Sequence, residues 1–255
     1  MIQSAMSIGI FKFVLLMTLS FGSHKYDKKK EIELSNYKGL DKEVFQKAME
    51  GYRICRGKGI LKNDSVLTII NFTKSSVQER LYVINLKRKQ IVLKSLVAHG
   101  KNSGIEFATD FSNRKHSSQS SLGFYVTENT YYGKHGLSLR MIGLEKGVND
   151  NAYDRAIVIH SANYATEDFI KKHGRLGRSL GCPAVPPKVS KKLINTIKDG
   201  SLVFIYHENN NNIAKISPVF ISLRKHNYLF LIILITSVLG LILILTRVFI
   251  RKPAK

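Results

Sequence analysis

The chain has 255 residues, 44% of them hydrophobic and 23% charged, which is the usage of a globular protein and excludes a disordered or fibrous one. Forty lysines and arginines against 18 acidic residues give a net charge of +22. Residues 25–215 hold 33 of the basic and all 18 of the acidic residues, or +15. This excess indicates an anionic partner (nucleic acid, anionic lipid or an acidic cell-wall polymer) or simply a solvated basic surface. Because no zinc-finger, RNA-recognition or KH motif is present, we do not expect nucleic acid.

The first element in chain order is a short apolar segment. Lys12 precedes an apolar run over residues 13–21, and Gly22 and Ser23 lead into polar sequence. This order is typical of a secretory signal. We therefore predict that residues 1–23 are a signal peptide or, if they are not cleaved, an N-terminal anchor.

The next segment, residues 24–63, is predicted to be a linker and an N-terminal helix. Asp41 is placed to cap the helix, and its end is expected near Gly57 and Gly59. Cys55 falls in the last turn, where it is expected to be a small buried hydrophobe. The apolar residues recur at helical spacing: Val44, Phe45, Ala48, Met49 and Tyr52.

Residues 64–207 are predicted to form a mainly β domain. A polar loop of about twenty residues, His99 to Ser121, interrupts the strands, and loops of that length in compact domains are usually functional or disordered. Helical patterns are confined to residues 166–172 and 189–198. The strand-like runs are residues 65–72, 80–86, 91–98, 123–127, 137–144, 156–160 and 201–206.

The C-terminal part has a run of 20 residues without charge, 227–246. As a helix it would be about 30 Å long, enough to cross a bilayer core. We predict a transmembrane helix over residues 227–247, a polar tether over 208–226 and a basic tail over 248–255. Four basic residues follow the run and two precede it, so the tail is expected in the cytoplasm and the mainly β domain outside the cytoplasmic membrane.

The strongest candidate site pairs a histidine with a cysteine. His160 ends a strand-like run, and Cys182 stands between Gly181 and Pro183, where no regular element continues. A base beside a thiol is how a cysteine nucleophile is activated. The alternative is a disulfide between Cys182 and Cys55, the only other cysteine.

Further side chains are expected to support this pair. Ser161 is placed to hold the imidazole. Gly181 lets a carbonyl approach the backbone closely, so that the amides of residues 181 and 182 face a developing oxyanion. A zinc site at His160, His173 and Cys182 is not expected, because these residues lack the spacing of metal ligands.

Four other residues are candidates for substrate binding. Arg178 and Arg175 flank the cysteine turn and could pair with a carboxylate, since guanidinium holds carboxylate in a fixed fork. Ser179 could orient the site. His99, at the end of another strand-like run, could line the cleft from the opposite side.

The segments "AIVIHSANY" and "GRLGRSLGCPAVP" resemble the catalytic core of the murein L,D-transpeptidase family, in its branch with a Ser-x-Gly-Cys-Pro turn. Further similar stretches include "RLYVINL" and "VAHGKNSG". The resemblance covers about residues 64–207 and implies a YkuD-like β-sandwich with few peripheral helices. Leu180 stands where many members have histidine, and the spacing from His160 to Cys182 is longer than in many members.

The resemblance also implies a reaction. Cys182 would attack the L,D amide of a peptidoglycan stem peptide, form a thioester and transfer it to an amine acceptor, with no cofactor. The alternatives are an L,D-carboxypeptidase or hydrolase of the same bond, or a non-catalytic module that binds the cell wall.

Overall fold

The computed structural model describes residues 37–208 and the single residue Thr236. The predicted signal, the linker up to residue 36, the tether beyond residue 208, the basic tail, and all but Thr236 of the predicted transmembrane helix lie outside the described residues. Among the described residues, no helix combines the length and the apolar character that a membrane span requires.

Residues 37–208 contain three α-helices and eight β-strands. The helices are α1 Lys42–Gly57, α2 Glu167–His173 and α3 Pro187–Ile197. The strands are β1 Val66–Asn71, β2 Leu81–Asn85, β3 Gln90–Ser95, β4 Gly123–Gly133, β5 Gly136–Gly143, β6 Val158–Ser161, β7 Ala184–Val185 and β8 Leu202–Tyr206.

All eight strands belong to one hydrogen-bonded sheet, in the order β3-β2-β1-β8-β4-β5-β6-β7. β8 lies in the middle, parallel to β1 and antiparallel to β4. The prediction of a mainly β domain is confirmed. The sheet is continuous, because β8 joins the strands on its two sides through backbone hydrogen bonds; the expected packing as a sandwich stays a prediction.

Most strand-like runs became strands, with two differences. β4 continues to Gly133, well beyond the predicted run. β3 ends at Ser95, because the chain then leaves β2 and Ala98 pairs with Ala184 instead. The two-residue strand β7 was not predicted. Strand β7 and the Ala98–Ala184 bridge extend the sheet at the cysteine turn.

Helix α1 forms as predicted. The Asp41 carboxylate accepts hydrogen bonds from the amides of Glu43 and Val44, at 2.9 and 3.1 Å, which caps the helix. Cys55 lies on the buried face. Burial raises the pKa of its thiol to about 12, so it behaves as the small hydrophobe that was expected.

The main core lies between the sheet and α3. Leu193, Ile194 and Ile197 of α3 are fully buried against the strands, as the helical spacing of these apolar residues requires. A smaller apolar cluster lies at the β7 end of the sheet and anchors the segments around the cysteine turn: Leu96, Ala98, Ala162, Ala165, Leu176 and Ala184.

Candidate active site

Strand β6 brings His160 beside the cysteine turn. His160 pairs with Ser138 of β5 on one side and with Ala184 of β7 on the other. Its amide donates to the carbonyl of Pro183 at 3.3 Å. Because Cys182 directly precedes Pro183, the sheet itself fixes the cysteine next to β6.

The Cys182 thiol contacts the beginning of β6. Its sulfur accepts from the Val158 amide at 3.4 Å and donates to the Ala156 carbonyl at 3.6 Å. Within residues 37–208 no hydrogen bond joins the sulfur to His160. The two side chains lie along the same short strand, with the thiol at its start.

Burial raises the pKa of Cys182, while the Val158 amide and the charges of Arg155 and Lys134 oppose that rise. The resting side chain is therefore a protonated thiol at neutral pH. A base has to remove its proton before the sulfur can attack a carbonyl.

The His160 imidazole is 3% exposed and has one hydrogen-bond contact within residues 37–208. Its Nδ1 lies 2.9 Å from the carbonyl oxygen of Ser161. A carbonyl can only accept, so Nδ1 carries the proton and Nε2 keeps its lone pair. Burial first, and then the charges of His135 and Lys134, lower the pKa of His160. The ring is thus a neutral base, and Ser161 holds it through its backbone.

The cysteine turn is closed by Ser179. Its hydroxyl donates to the Cys182 carbonyl at 2.6 Å and accepts from the Gly181 amide at 3.0 Å. Gly181 has φ +123°, and an added Cβ would lie 2.8 Å from the Gln119 carbonyl oxygen. Ser179 is buried, and its one hydroxyl proton is used within the turn, so its side chain orients the turn.

The expected pair of oxyanion donors needs a correction. The Gly181 amide is already bound to Ser179 Oγ, so it cannot also face an oxyanion. Within residues 37–208, the structure gives the amides of Leu180 and Cys182 no acceptor. The Cys182 amide remains a candidate donor.

The loop from His99 to Ser121 holds the turn in place. The Lys101 amide donates to the Ser179 carbonyl at 2.7 Å, and the Ser179 amide donates to the His99 carbonyl at 2.9 Å. The Ser120 hydroxyl donates to the Gly181 carbonyl at 3.1 Å. This loop is therefore a support for the cysteine turn.

Arg155 was missed from the sequence. Its guanidinium donates to the carbonyls of Ser112 and Gln119 at 2.6 and 2.5 Å, and so fastens the supporting loop. An added Cβ on Gly181 would lie 3.3 Å from Nη2, and the charge acts on Cys182. The only sequence signal was its place just before β6.

His99 does not line the cleft, which corrects that prediction. Its side chain is 1% exposed, and both ring nitrogens have partners. Arg80 Nη2 lies 2.8 Å from Nδ1, and Nε2 lies 3.3 Å from the Gly104 carbonyl oxygen. Burial, and then the charge of Arg80, lower the pKa of His99 to about 4. It is a neutral structural residue whose carbonyl supports Ser179.

Arg178 and Arg175 remain candidates for substrate binding. Arg178 Nη1 donates to the carbonyls of Lys101 and Gly104 at 3.0 and 3.1 Å. Arg175 Nη1 donates to the Leu176 carbonyl at 2.8 Å. Neither forms an ion pair with a carboxylate of residues 37–208. Both are partly exposed, so their remaining N–H groups are available to an anion.

The disulfide alternative is wrong, because Cys55 and Cys182 are both free.

His173 and His135 also precede glycines, and their rings pack against different residues. The His173 ring packs on Phe169 at 4.2 Å. The His135 ring stacks on His160 at 4.3 Å.

A family model for the L,D-transpeptidase catalytic domain matches residues 36–206. The match begins ahead of the predicted domain boundary at residue 64 and includes α1. No curated protein matches the chain.

Several solved structures are similar at low identity. An L,D-transpeptidase from Mycobacterium smegmatis is 12% identical over 56% of this chain and 59% of its own, with a TM-score of 0.35. One from Enterococcus faecium is 13% identical over 56% and 50%, also at 0.35. One from Xylanimonas cellulosilytica is 14% identical over 64% and 77%, at 0.34. The chain thus spans between half and three fifths of the first two.

Proposed function

The chain belongs to the L,D-transpeptidase catalytic domain family, and from that premise we propose that it is a cysteine-dependent L,D-transpeptidase of peptidoglycan. In this proposal Cys182 is the nucleophile and His160 the base. The observation that carries it is the position of the two residues: the thiol contacts β6, and β6 also holds His160, whose Nε2 has no hydrogen-bond partner among the described residues.

The first half-reaction would make a thioester. The Cys182 side chain rotates away from the Ala156 carbonyl, and Nε2 of His160 takes the thiol proton. The sulfur then attacks the carbonyl carbon of the L,D amide, and the oxygen carries the charge beside the Cys182 amide. As the C–N bond breaks, His160 returns the proton to the leaving amine of the D-residue.

The second half-reaction would transfer the acyl group. An amine from a neighbouring stem attacks the thioester carbonyl, the new C–N bond forms, and the C–S bond breaks. The amine gives up a proton to His160, and the released sulfur takes a proton back. Water in place of the amine would make the chain an L,D-carboxypeptidase.

The substrate carboxylate would meet Arg178 and Arg175. Both side chains flank the cysteine turn, keep donors free and lack a carboxylate partner among the described residues. The general positive charge of the domain also suits an anionic wall polymer.

The location outside the cytoplasmic membrane, with a C-terminal membrane helix, is part of this proposal. The apolar runs at residues 13–21 and 227–246 support it. Anchoring would keep the enzyme close to neighbouring stems, where their amines compete well with water.

The test is to incubate the full chain with tetrapeptide muropeptides and to analyse both protein and products by mass spectrometry. We expect an acyl group on the peptide that contains Cys182, together with cross-linked dimers. Cys182→Ala should abolish both, and the matched variant Cys55→Ala should retain both. An unmodified Cys182 with no product would contradict the proposal. A second incubation uses intact wall in place of muropeptides, and tripeptide without dimers there would indicate a carboxypeptidase.

A further inference from the structure

The hairpin that joins β4 to β5 reaches the candidate base. Gly133 pairs with Gly136, which leaves Lys134 and His135 as a two-residue turn. The His135 ring lies 4.3 Å from the His160 ring, with 27° between their planes. His135 is exposed, while His160 is almost fully buried beneath it.

This stack adds a second constraint on the imidazole. The first is the Ser161 carbonyl, which fixes Nδ1 within the plane of the ring. A flat ring against one face of His160 restricts its rotation out of that plane. The two contacts together fix the direction of Nε2, which has no hydrogen-bond partner within residues 37–208, and a general base requires such a fixed direction.

The hairpin also places positive charge beside the base. His135 and Lys134 are the charged groups that act on His160 from this turn, and Lys134 acts on Cys182 as well. Ser138 of β5 and Ala184 of β7, which pair with His160, carry no charge. Among residues 37–208, no carboxylate forms an ion pair with His160. The neighbouring charges therefore disfavour the protonated form of His160.

We propose that His135 is a positioning residue for His160: its ring, which stacks on the imidazole from the β4–β5 turn, holds the imidazole in plane. This rests on the proposed function only in taking His160 as the base. A merely structural histidine at the hairpin turn would affect hairpin stability, but it would not change how His160 titrates.

Two variants separate the ring from the charge. His135→Phe keeps a flat ring and removes the charge, so it should retain kcat within about twofold at pH 8 and should shift the titration of His160 to higher pH. His135→Ala removes both, and kcat should fall about tenfold, less than the roughly hundredfold that a 1 Å misplacement can cost. KM should change little in either variant, because among the described residues the stack contacts neither Arg178 nor Arg175, the proposed partners of the substrate carboxylate.

Matched controls come from the same chain. His173→Ala removes a ring that packs on Phe169, and it should change neither kcat nor the titration. Lys134→Gln removes charge from the same turn without a ring, so it should shift the titration of His160 to higher pH as His135→Phe does.

The titration is followed by NMR of the full chain with ¹³C-labelled histidine, in which the His160 signal is assigned by its loss in His160→Gln. An unmoved His160 titration in both His135 variants would overturn the proposal, as would an unchanged kcat in His135→Ala. A wild-type chain without turnover would contradict the proposed function instead, and the titration would still decide how His135 acts on His160.

Discussion

Two buried histidines lie on either side of the cysteine turn, and they differ in how many of their ring nitrogens have a partner. His99 is 1% exposed and His160 is 3% exposed, and burial lowers the pKa of both. His99 uses both ring nitrogens, one with Arg80 and one with the Gly104 carbonyl. His160 uses only Nδ1 within the described residues. Burial makes both rings neutral, but only an unshared nitrogen makes one of them a base.

The largest expected difference between the two is in turnover. His160→Gln should lower kcat about a hundredfold to ten-thousandfold, the usual contribution of a general base, because glutamine cannot take the thiol proton. His99→Gln should lower it far less, since glutamine still offers Arg80 an acceptor. Steady-state kinetics on muropeptides measure both, with circular dichroism to verify the fold. Equal losses in the two variants would contradict the distinction.

The second difference concerns the arginine beside His99. Arg80 is fully buried and donates to the carbonyls of Val97 and Lys74 as well as to His99. Burial lowers its pKa to about 9. Arg80→Met would leave these acceptors unpaired, so we expect the free energy of unfolding to fall by roughly 3–5 kcal/mol.

Urea unfolding of the full chain at pH 7 tests this expectation. The control is Arg53→Met, which removes an exposed arginine of α1 and should change stability by about 0.5 kcal/mol or less. A similarly small change in Arg80→Met would show that the cluster around His99 does not support the fold.

A third difference follows from pH. The pKa of His99 is about 4 in the folded state and about 6.5 in the unfolded chain. Above pH 6.5 both states are neutral. As pH falls toward 4, His99 becomes protonated in the unfolded chain but stays neutral in the folded chain. Acid therefore lowers the free energy of unfolding by at most about 3 kcal/mol. His99→Gln should make the free energy of unfolding less dependent on pH between 6.5 and 4.

Unfolding curves at pH 7 and pH 4.5 measure this slope. His160 also has a lowered pKa, so part of the slope should persist in His99→Gln. The matched variant His173→Gln changes an exposed histidine and should keep the full slope. A slope in His99→Gln as steep as that of the unmodified chain would show that His99 is not its source.

Local patterns predicted most of the elements. Asp41 and the helical spacing after it gave α1, and alternating or continuous apolar runs gave seven of the eight strands. β7 was missed because two residues, Ala184 and Val185, form no run. Their pairing with β6 depends on how the cysteine turn folds back, and a linear pattern does not contain that information.

The candidate pair was also predictable, but its surroundings were not. Cys182 and His160 stand out by residue type and by their turn. The contact of Arg155 with Gln119, and that of Arg80 with His99, join residues that are distant in the chain or belong to different runs. Hydrogen bonds of this kind become visible only when the loop 99–121 is folded against the turn.

The smallest expected effect comes from a comparison of Arg155, beside Cys182, with Arg80, beside His99. Both arginines donate hydrogen bonds to backbone carbonyls: Arg155 to the loop 99–121, and Arg80 to Lys74 and Val97. The charge of Arg155 also opposes the rise in the pKa of Cys182. Arg155→Gln removes this charge, so the thiolate becomes less populated. Alkylation of Cys182 by iodoacetamide at pH 7 should then slow by about tenfold or less. Arg155→Lys keeps a positive charge and should lose less.

Mass spectrometry of the modified peptides follows Cys182 alone, because Cys55 is buried with a pKa of about 12 and should not react. Arg140→Gln is the control: its guanidinium packs over Tyr131, and the alkylation rate should not change. If Cys182 were alkylated as slowly in Arg155→Lys as in Arg155→Gln, the hydrogen bonds of the guanidinium to the loop would control the alkylation rate more than the charge does. Arg155 would then act as Arg80 does, by holding backbone in place, and the two sides of the turn would differ only in their histidines.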